Sequence, residues 1–368
     1  MSASPSRYPR YHLLDPLRGV AICCVMMTHF TVPGDAGSTF RDAVFPVSKH
    51  GYLGVALFFL ISGYCIAGAA ARAAESPGSA SRFLFHRFRR IFPPYWWSIL
   101  LAVALALGTI CVGGKTWVSI FPLDLRDWLL NAVLLQGPFG AGDIQLVYWS
   151  LTIEIQFYLV VGLILLLPWR IEWMVAFLAV ASGLWRLFPS LPTSGTFIAH
   201  WGQFSAGMAC FYWLYNGHRS RRAATLILLA TAVSAALAEF VNPLPYLWWD
   251  SLSRPLVDAL AVAGAVLLIA LHGADERLCR QPVLAWLGWL GMISYSLYLT
   301  HNIVGVRVIN IGMRLTGLQG LWWLAFLIAA FAFSLAAGIL FFRFCEKPWM
   351  TFPAAQRKIP RIPSLPLQ

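Results

Sequence analysis

Long apolar stretches recur along the whole chain, each of a length that lets a helix cross the hydrocarbon core of a bilayer, which takes about 20 residues. Ten are read from the sequence, at roughly 16–33, 52–71, 94–112, 146–168, 172–188, 197–215, 222–241, 255–272, 284–306 and 320–343. Arg186 and Pro189 crowd the junction of the fifth and sixth. No internal repeat is evident. After Phe352 the chain reads PAAQRKIPRIPSLPLQ, the proline-rich, polar composition of a disordered tail. The expected architecture is an all-α polytopic membrane protein. It is a bundle of about ten transmembrane helices forming one domain over residues 1–352, followed by a tail at 353–368.

The first stretch, LDPLRGVAICCVMMTHF from Leu14 to Phe30, carries Arg18 near its start and His29 near its end. A helix turns about 100° per residue, so eleven steps return His29 to within about 20° of Arg18 on one face. At about 1.5 Å per residue the two stand about 16 Å apart along the axis, roughly half the hydrocarbon thickness. A membrane helix so built has a cation at one mouth and an imidazole deep inside, facing the same way. Ionisable groups in that setting are costly and mark function. Snorkelling of Arg18 to a headgroup is the alternative for that residue alone.

Composition supports the membrane assignment. Hydrophobic residues make up 59% of the 368 positions and charged residues 11%, where a soluble domain is about a quarter charged. The net charge of +12 would fit nucleic acid, but the positive-inside bias explains it without one. With the N-terminus in the cytoplasm and alternating spans, 19 of the 27 Lys and Arg fall inside and 8 outside, so both termini are expected in the cytoplasm of a multi-pass inner-membrane protein. The seven cysteines include no pair in an outer loop and no Cys-x-x-Cys, which argues against a disulfide framework or a zinc site; no metal is expected. The N-terminus shows no cleavable signal peptide.

Further polar residues interrupt the apolar stretches. The second contains Ser62-Gly63-Tyr64, whose small residues permit close backbone approach. Next comes a basic cluster that includes Arg82, Arg87, Arg89 and Arg90, placed just ahead of a helix that Pro93 or Pro94 can start. Arg87 and Arg90 are three apart and on a helical turn could grip one phosphorylated ligand, guanidinium forks being suited to phosphate. Generic contact with anionic lipid is the alternative. The fourth stretch opens YWSLTIEIQFY, with Trp149 beside a face shared by Ser150, Glu154 and Tyr158 at every fourth residue. Glu154 needs a partner there, and Arg18 or His29 would supply one. The ninth carries Ser294, Tyr298 and His301 on one face. The tenth ends in Cys-Glu-Lys-Pro-Trp at 345–349, where Lys347 suits a helix C-terminus.

These pieces, in order, resemble the acyltransferase-3 family of integral membrane acyltransferases. They are LDPLRG with the Arg18-x10-His29 spacing, FFLISGY, Arg87-x-x-Arg90 before Ile-Phe-Pro, YWSLTIEIQFY, FSAGM at 204–208, ISYSLYLTH and CEKPW, and they span nearly the whole chain. The resemblance implies about ten membrane helices and transfer of an acyl group, commonly acetyl, from cytosolic acyl-CoA to a hydroxyl. The acceptor would be a cell-surface or exported carbohydrate or lipid-linked glycan, with a small secondary metabolite such as a macrolide, or a lipid, as alternative. It implies that Arg18 and His29 are the essential first-helix pair and that Arg87 and Arg90 lie near the coenzyme A phosphates. Ser62 and Tyr64 are further candidates for contact with the donor. The form expected is the one without a fused periplasmic domain. Pro16 after Asp15 departs from the usual pattern.

On that basis His29 is the natural base, with Arg18 and Glu154 as its catalytic companions. Trp149, Ser150, Tyr298 and His301 are candidates for contact with substrate. Direct attack and an acyl-histidine intermediate both remain open. The outer loops at 34–51 and 113–145 are expected to shape acceptor choice. A transporter with buried Arg, His and Glu is the non-enzyme alternative, although no repeat symmetry favours it.

Overall fold

The computed structural model describes residues 11–31, 39–75, 78–112, 116–188, 195–215, 217–241 and 255–350. Among them all regular structure is helical. The tail expected at 353–368 lies outside the described residues, as does part of the loop at 34–51.

Helix α1 (Leu14–Thr31) begins with Asp15 and Pro16 in its first turn, where a carboxylate meets the helix dipole and proline loses no needed hydrogen bond. The short α2 (Thr39–Ser48) and a 3-10 turn lead into α3 (Leu53–Ala74). Helix α4 (Ser79–Val112) is continuous for 34 residues. Two capped one- to two-turn helices follow, α5 (Trp117–Ile120) and α6 (Leu125–Ala132). Next come α7 (Tyr148–Ile164), α8 (Ile171–Arg186), α9 (Trp201–Tyr215), α10 (Gly217–Val241), α11 (Pro255–Leu271), α12 (Asp275–Cys279) and α13 (Pro282–Met292). The chain ends with α14 (Ser294–Thr316), α15 (Leu321–Phe341), a π-helical turn at Phe342–Glu346 and α16 (Lys347–Met350).

Among the described residues, five helical segments are long and apolar enough to cross a membrane, or six when α13 and α14 count as one bent span. Their outer faces carry large apolar side chains, such as Leu229, Val233 and Leu237 on α10, opposite an inner face of Ala223, Ile227, Thr231 and Ala235. That inside-out exposure is what a lipid solvent selects, because lipid gives no drive to hide Leu or Val.

Small residues decide which helices touch. Gly63 of α3 lies against the Phe204 carbonyl of α9, and Gly207 of α9 lies against the Leu60 carbonyl of α3. The same reciprocity joins α1 and α13: Gly19 sits on the Leu287 carbonyl and Gly291 on the Asp15 carbonyl. A side chain at any of the four would overlap backbone of the partner helix. Helices α1 and α3 also pack on each other, so these two crossings fix the centre of the bundle.

Two elements differ from the sequence reading. Pro93 and Pro94 were expected to start a helix, with the basic cluster ahead of it; they lie inside α4, which starts at Ser79. An interior proline costs a helix about 3 kcal/mol. Buried Ala80, Phe83 and Ile91 hold the early turns against the bundle, and the Tyr295 hydroxyl donates to the Ile91 carbonyl at 2.9 Å. The basic residues therefore stand on helix. The ninth stretch, read as one span, is broken at Ile293, where α13 and α14 diverge by 73°. Hydropathy runs unbroken through Gly291-Met292-Ile293, so the bend is set by packing and not by a polar break.

Gly207→Ala is expected to destabilise the protein by about 1–3 kcal/mol through overpacking and to lower its apparent Tm in detergent. Gly108→Ala in α4, where an added Cβ meets nothing within 4 Å, should leave Tm unchanged or slightly raised. Equal effects would contradict this packing.

Candidate active site

Helices α1, α3, α4, α7 and α14 line a cleft open to one side. Seven of the eleven residues singled out from the sequence line it: Arg18, Ser62, Arg87, Arg90, Ser150, Glu154 and Tyr298. Each reaches the cleft through helical periodicity. Ser150, Glu154 and Tyr158 descend one face of α7, and Arg87 and Arg90 share a turn of α4. The bend at Ile293 puts the first turns of α14, with Ser294, Tyr295 and Tyr298, into the wall.

The cleft gathers positive charge. Arg18 pairs with Asp15 at 3.2 Å and its second amino group approaches the Cys65 sulfur at 3.1 Å. The Arg87 guanidinium lies 5.8 Å from the Phe83 ring centroid and 5.9 Å from that of Tyr158, in cation–π range. Its Nε is buried with no hydrogen-bond partner. No carboxylate pairs with Arg87 or Arg90 among the described residues, and Arg90 is exposed at the rim.

Glu154 does not take the partner expected for it. Its carboxylate accepts from the Ser62 hydroxyl at 2.8 Å and from the Tyr158 hydroxyl, and no hydrogen bond or ion pair joins it to Arg18 or His29. Hydroxyl donors satisfy a carboxylate without burying a second charge. Arg87 lies in its field.

Glu346 is a carboxylate the sequence reading passed over in favour of Lys347. It is buried, accepts from the Ser296 hydroxyl and backbone N–H at the start of α14, and sits in the field of Arg90 and Arg18. The π-helical turn at Phe342–Glu346 turns it inward. The available signal was an acid closing an apolar run. Cys65 and Tyr295 also line the cleft and were not singled out.

Four of the named residues stand outside the lining. Tyr64 packs with Tyr11 and Phe211, at ring-centroid distances of 5.7 and 5.6 Å. Trp149 faces Phe59 and His200. His301 and His29 lie beyond Tyr298. The Tyr298 and His301 centroids are 5.8 Å apart and those of His301 and His29 are 5.2 Å apart. The Tyr298 hydroxyl donates to the Val147 carbonyl at 3.0 Å and stands 2.6 Å from the Ser150 hydroxyl, so this ring is fixed between the cleft and the two histidines. His29 is half-buried and forms no hydrogen bond among the described residues. No group of three or more His, Cys, Asp or Glu able to hold a metal occurs among the described residues.

Comparison with known proteins gives the family. Residues 11–343 match the family described as an acyltransferase domain. The chain is similar to nodulation protein 10 of Rhizobium leguminosarum bv. viciae, at 28% identity over 84% of this chain and 86% of the relative. It is similar to the peptidoglycan O-acetyltransferase OatA of Listeria monocytogenes, at 24% identity over 93% of this chain and 56% of the relative. It also resembles the exopolysaccharide production protein ExoZ of Rhizobium meliloti, at 28% identity over 83% of this chain and 92% of the relative. No solved structure matches the chain. With a family match over nearly its whole length and helices built for a bilayer, the chain belongs to the acyltransferase-3 family of membrane acyltransferases, enzymes that transfer acyl groups.

Proposed function

We propose that this enzyme moves an acyl group, acetyl in the first instance, from cytosolic acyl-CoA to a hydroxyl of a cell-surface or exported carbohydrate. One observation supports the donor side: the cleft gathers Arg18, Arg87 and Arg90, and among the described residues Arg87 and Arg90 form no direct ion pair, although Glu154 and Glu346 lie in their fields. Guanidinium groups without an ion-pair partner suit an anion, and phosphate can take two parallel hydrogen bonds from each. The N-terminal turn of α14 adds the positive end of a helix dipole on the same wall. The acceptor side rests on the relatives: one is named for peptidoglycan O-acetylation and another for exopolysaccharide production.

In this reading the protein is a ten-span inner-membrane protein with both termini in the cytoplasm. Arg87 and Arg90 hold the nucleotide phosphates at the cytoplasmic mouth, with Arg18 deeper. The pantetheine arm runs past Cys65, Ser62 and Glu154 towards Tyr298. Glu154, held by Ser62 and Tyr158, balances the field of Arg87 and keeps the channel polar. His29, on the outer side of Tyr298, takes the proton of the acceptor hydroxyl as the new C–O bond forms and the thioester C–S bond breaks. The proton then passes to the coenzyme A thiolate. Donor and acceptor so meet from opposite sides of the membrane, and coenzyme A never crosses it.

Two results test this. Arg87→Ala/Arg90→Ala should weaken coenzyme A binding to the detergent-purified protein by at least ~100-fold in calorimetric titration, since charge-assisted hydrogen bonds contribute about 1.5–3 kcal/mol each; unchanged affinity would remove the phosphate site. His29→Ala should keep coenzyme A affinity within ~3-fold, yet lower acetyl-CoA thioester consumption with an envelope glycan fraction by at least ~100-fold. Wild-type turnover in that variant would end the role of His29. Product mass separates a glycan acceptor from a small metabolite or a lipid.

A further inference from the structure

A base needs an orienting partner. In hydrolytic triads a carboxylate takes the imidazole N–H, fixes the tautomer and stabilises the imidazolium that forms. No carboxylate touches His29 among the described residues, and its own N–H has no acceptor there. The group beside it is a second imidazole, His301, with the ring centroids 5.2 Å apart.

His301 is fully buried, at 0% exposure. Its Nδ1 stands 3.1 Å from the Leu297 carbonyl and 2.9 Å from the Tyr298 carbonyl. Carbonyl oxygens only accept, so Nδ1 carries the proton and Nε2 is left with a lone pair. That Nε2 is buried and has no partner. A donor without an acceptor and an acceptor without a donor therefore belong to two neighbouring rings, whose centroids stand 5.2 Å apart. An N–H···N bond needs about 3 Å between nitrogens, so the pairing inferred below requires the His29 ring to turn its N–H to His301 Nε2. Phe30 and Tyr298 close around the His301 ring, which leaves it no route to solvent.

We infer that His301 is the positioning residue for His29: its Nε2 accepts the His29 N–H, fixes the His29 tautomer and turns the other His29 nitrogen, lone pair outward, to the acceptor hydroxyl. When His29 takes the hydroxyl proton, the N–H held by His301 becomes charge-assisted and strengthens, which stabilises the imidazolium without a buried carboxylate. His301 neither gains nor loses a proton in the cycle. The backbone carbonyls of α14 thus do the work that a carboxylate does elsewhere, one imidazole removed. The inference rests on the assignment of His29 as base, and it changes the role of His301 from substrate contact to orientation.

Two isosteric variants separate the halves of the His301 ring. In His301→Asn the amide occupies the place of Nδ1, so the bond to the carbonyls can persist while the acceptor facing His29 is lost. In His301→Gln the amide oxygen reaches the place of Nε2 and keeps that acceptor. The measurements are steady-state acetyl-CoA consumption by the purified full chain with an envelope glycan fraction, and the rate at which diethylpyrocarbonate modifies His29, read by peptide mass spectrometry. For His301→Asn the expectation is a kcat lower by roughly 30–100-fold with KM for acetyl-CoA within ~3-fold, and His29 modification slowed by ~5-fold. His301→Gln should stay within ~5-fold of wild type in both. Wild-type kcat and His29 reactivity in His301→Asn would overturn the inference while leaving acyl transfer intact. Equal loss in both variants would also overturn it, as packing alone. If neither wild type nor variants consume thioester, the functional reading fails, and the His29 modification rates by themselves decide whether the pair exists.

Discussion

The gathering of three arginines on one cleft of an apolar bundle, two of them without a direct ion pair, is the constraint on which this structure turns. A guanidinium cannot be neutralised at any ordinary pH, so in a low-dielectric setting it must find an anion, an aromatic face or water. Arg18 has Asp15, and Arg87 has the faces of Phe83 and Tyr158. The two carboxylates nearest the cleft are committed elsewhere: Glu154 to the hydroxyls of Ser62 and Tyr158, and Glu346 to the first turn of α14. Their fields offset the charge of the arginine cluster but leave the Arg87 and Arg90 guanidinium groups without a direct ion pair, and so with donors free for an anionic ligand.

The helices are arranged to make that cleft possible. Reciprocal glycines bring α3 onto α9 and α1 onto α13 at backbone contact. The Gly291 contact with the Asp15 carbonyl lies two residues before the break that swings α14 into the cleft wall. The residue that anchors α13 to α1 is thus next to the one that aims Tyr298. Beyond Tyr298 the polar chain continues through His301 to His29, so the donor cleft and the base lie on opposite sides of one fixed ring. The Asn131 side chain braces the loop carrying α5 and α6 by bonding the Asp127 and Gly142 carbonyls and the Ile144 N–H, and the Tyr95 hydroxyl of α4 ties that loop to the bundle by donating to the Asn131 carbonyl at 2.8 Å.

Much of the site was legible in the sequence because helical periodicity alone assembles it. The Ser150–Glu154–Tyr158 face and the Arg87–Arg90 turn need only 3.6 residues per turn, whereas His29, in phase with Arg18, stands outside the cleft lining beyond Tyr298. What stayed hidden depends on tertiary packing. The break at Ile293 sits in unbroken apolar sequence, and Pro93-Pro94 read as a helix start because the early turns of α4 are held by contacts far away in the chain. The partners of Glu154 were misjudged because charge complementarity suggested Arg18 or His29, whereas hydroxyls one turn away satisfied it locally. Glu346 was overlooked because its inward aim comes from a π-helical turn that no periodicity announces.

The most direct test of the account is whether coenzyme A occupies the cleft. Cys65 lines it, beside Arg18, whereas Cys111 at the end of α4 is exposed. Alkylation by a maleimide, quantified at each cysteine with and without saturating coenzyme A, reads occupancy without any assumption about the acceptor. The account predicts that coenzyme A slows modification of Cys65 by at least ~10-fold and leaves Cys111 unchanged, as expected when a bound ligand covers one thiol and not the other. Equal Cys65 rates with and without coenzyme A, at concentrations that saturate binding, would contradict it.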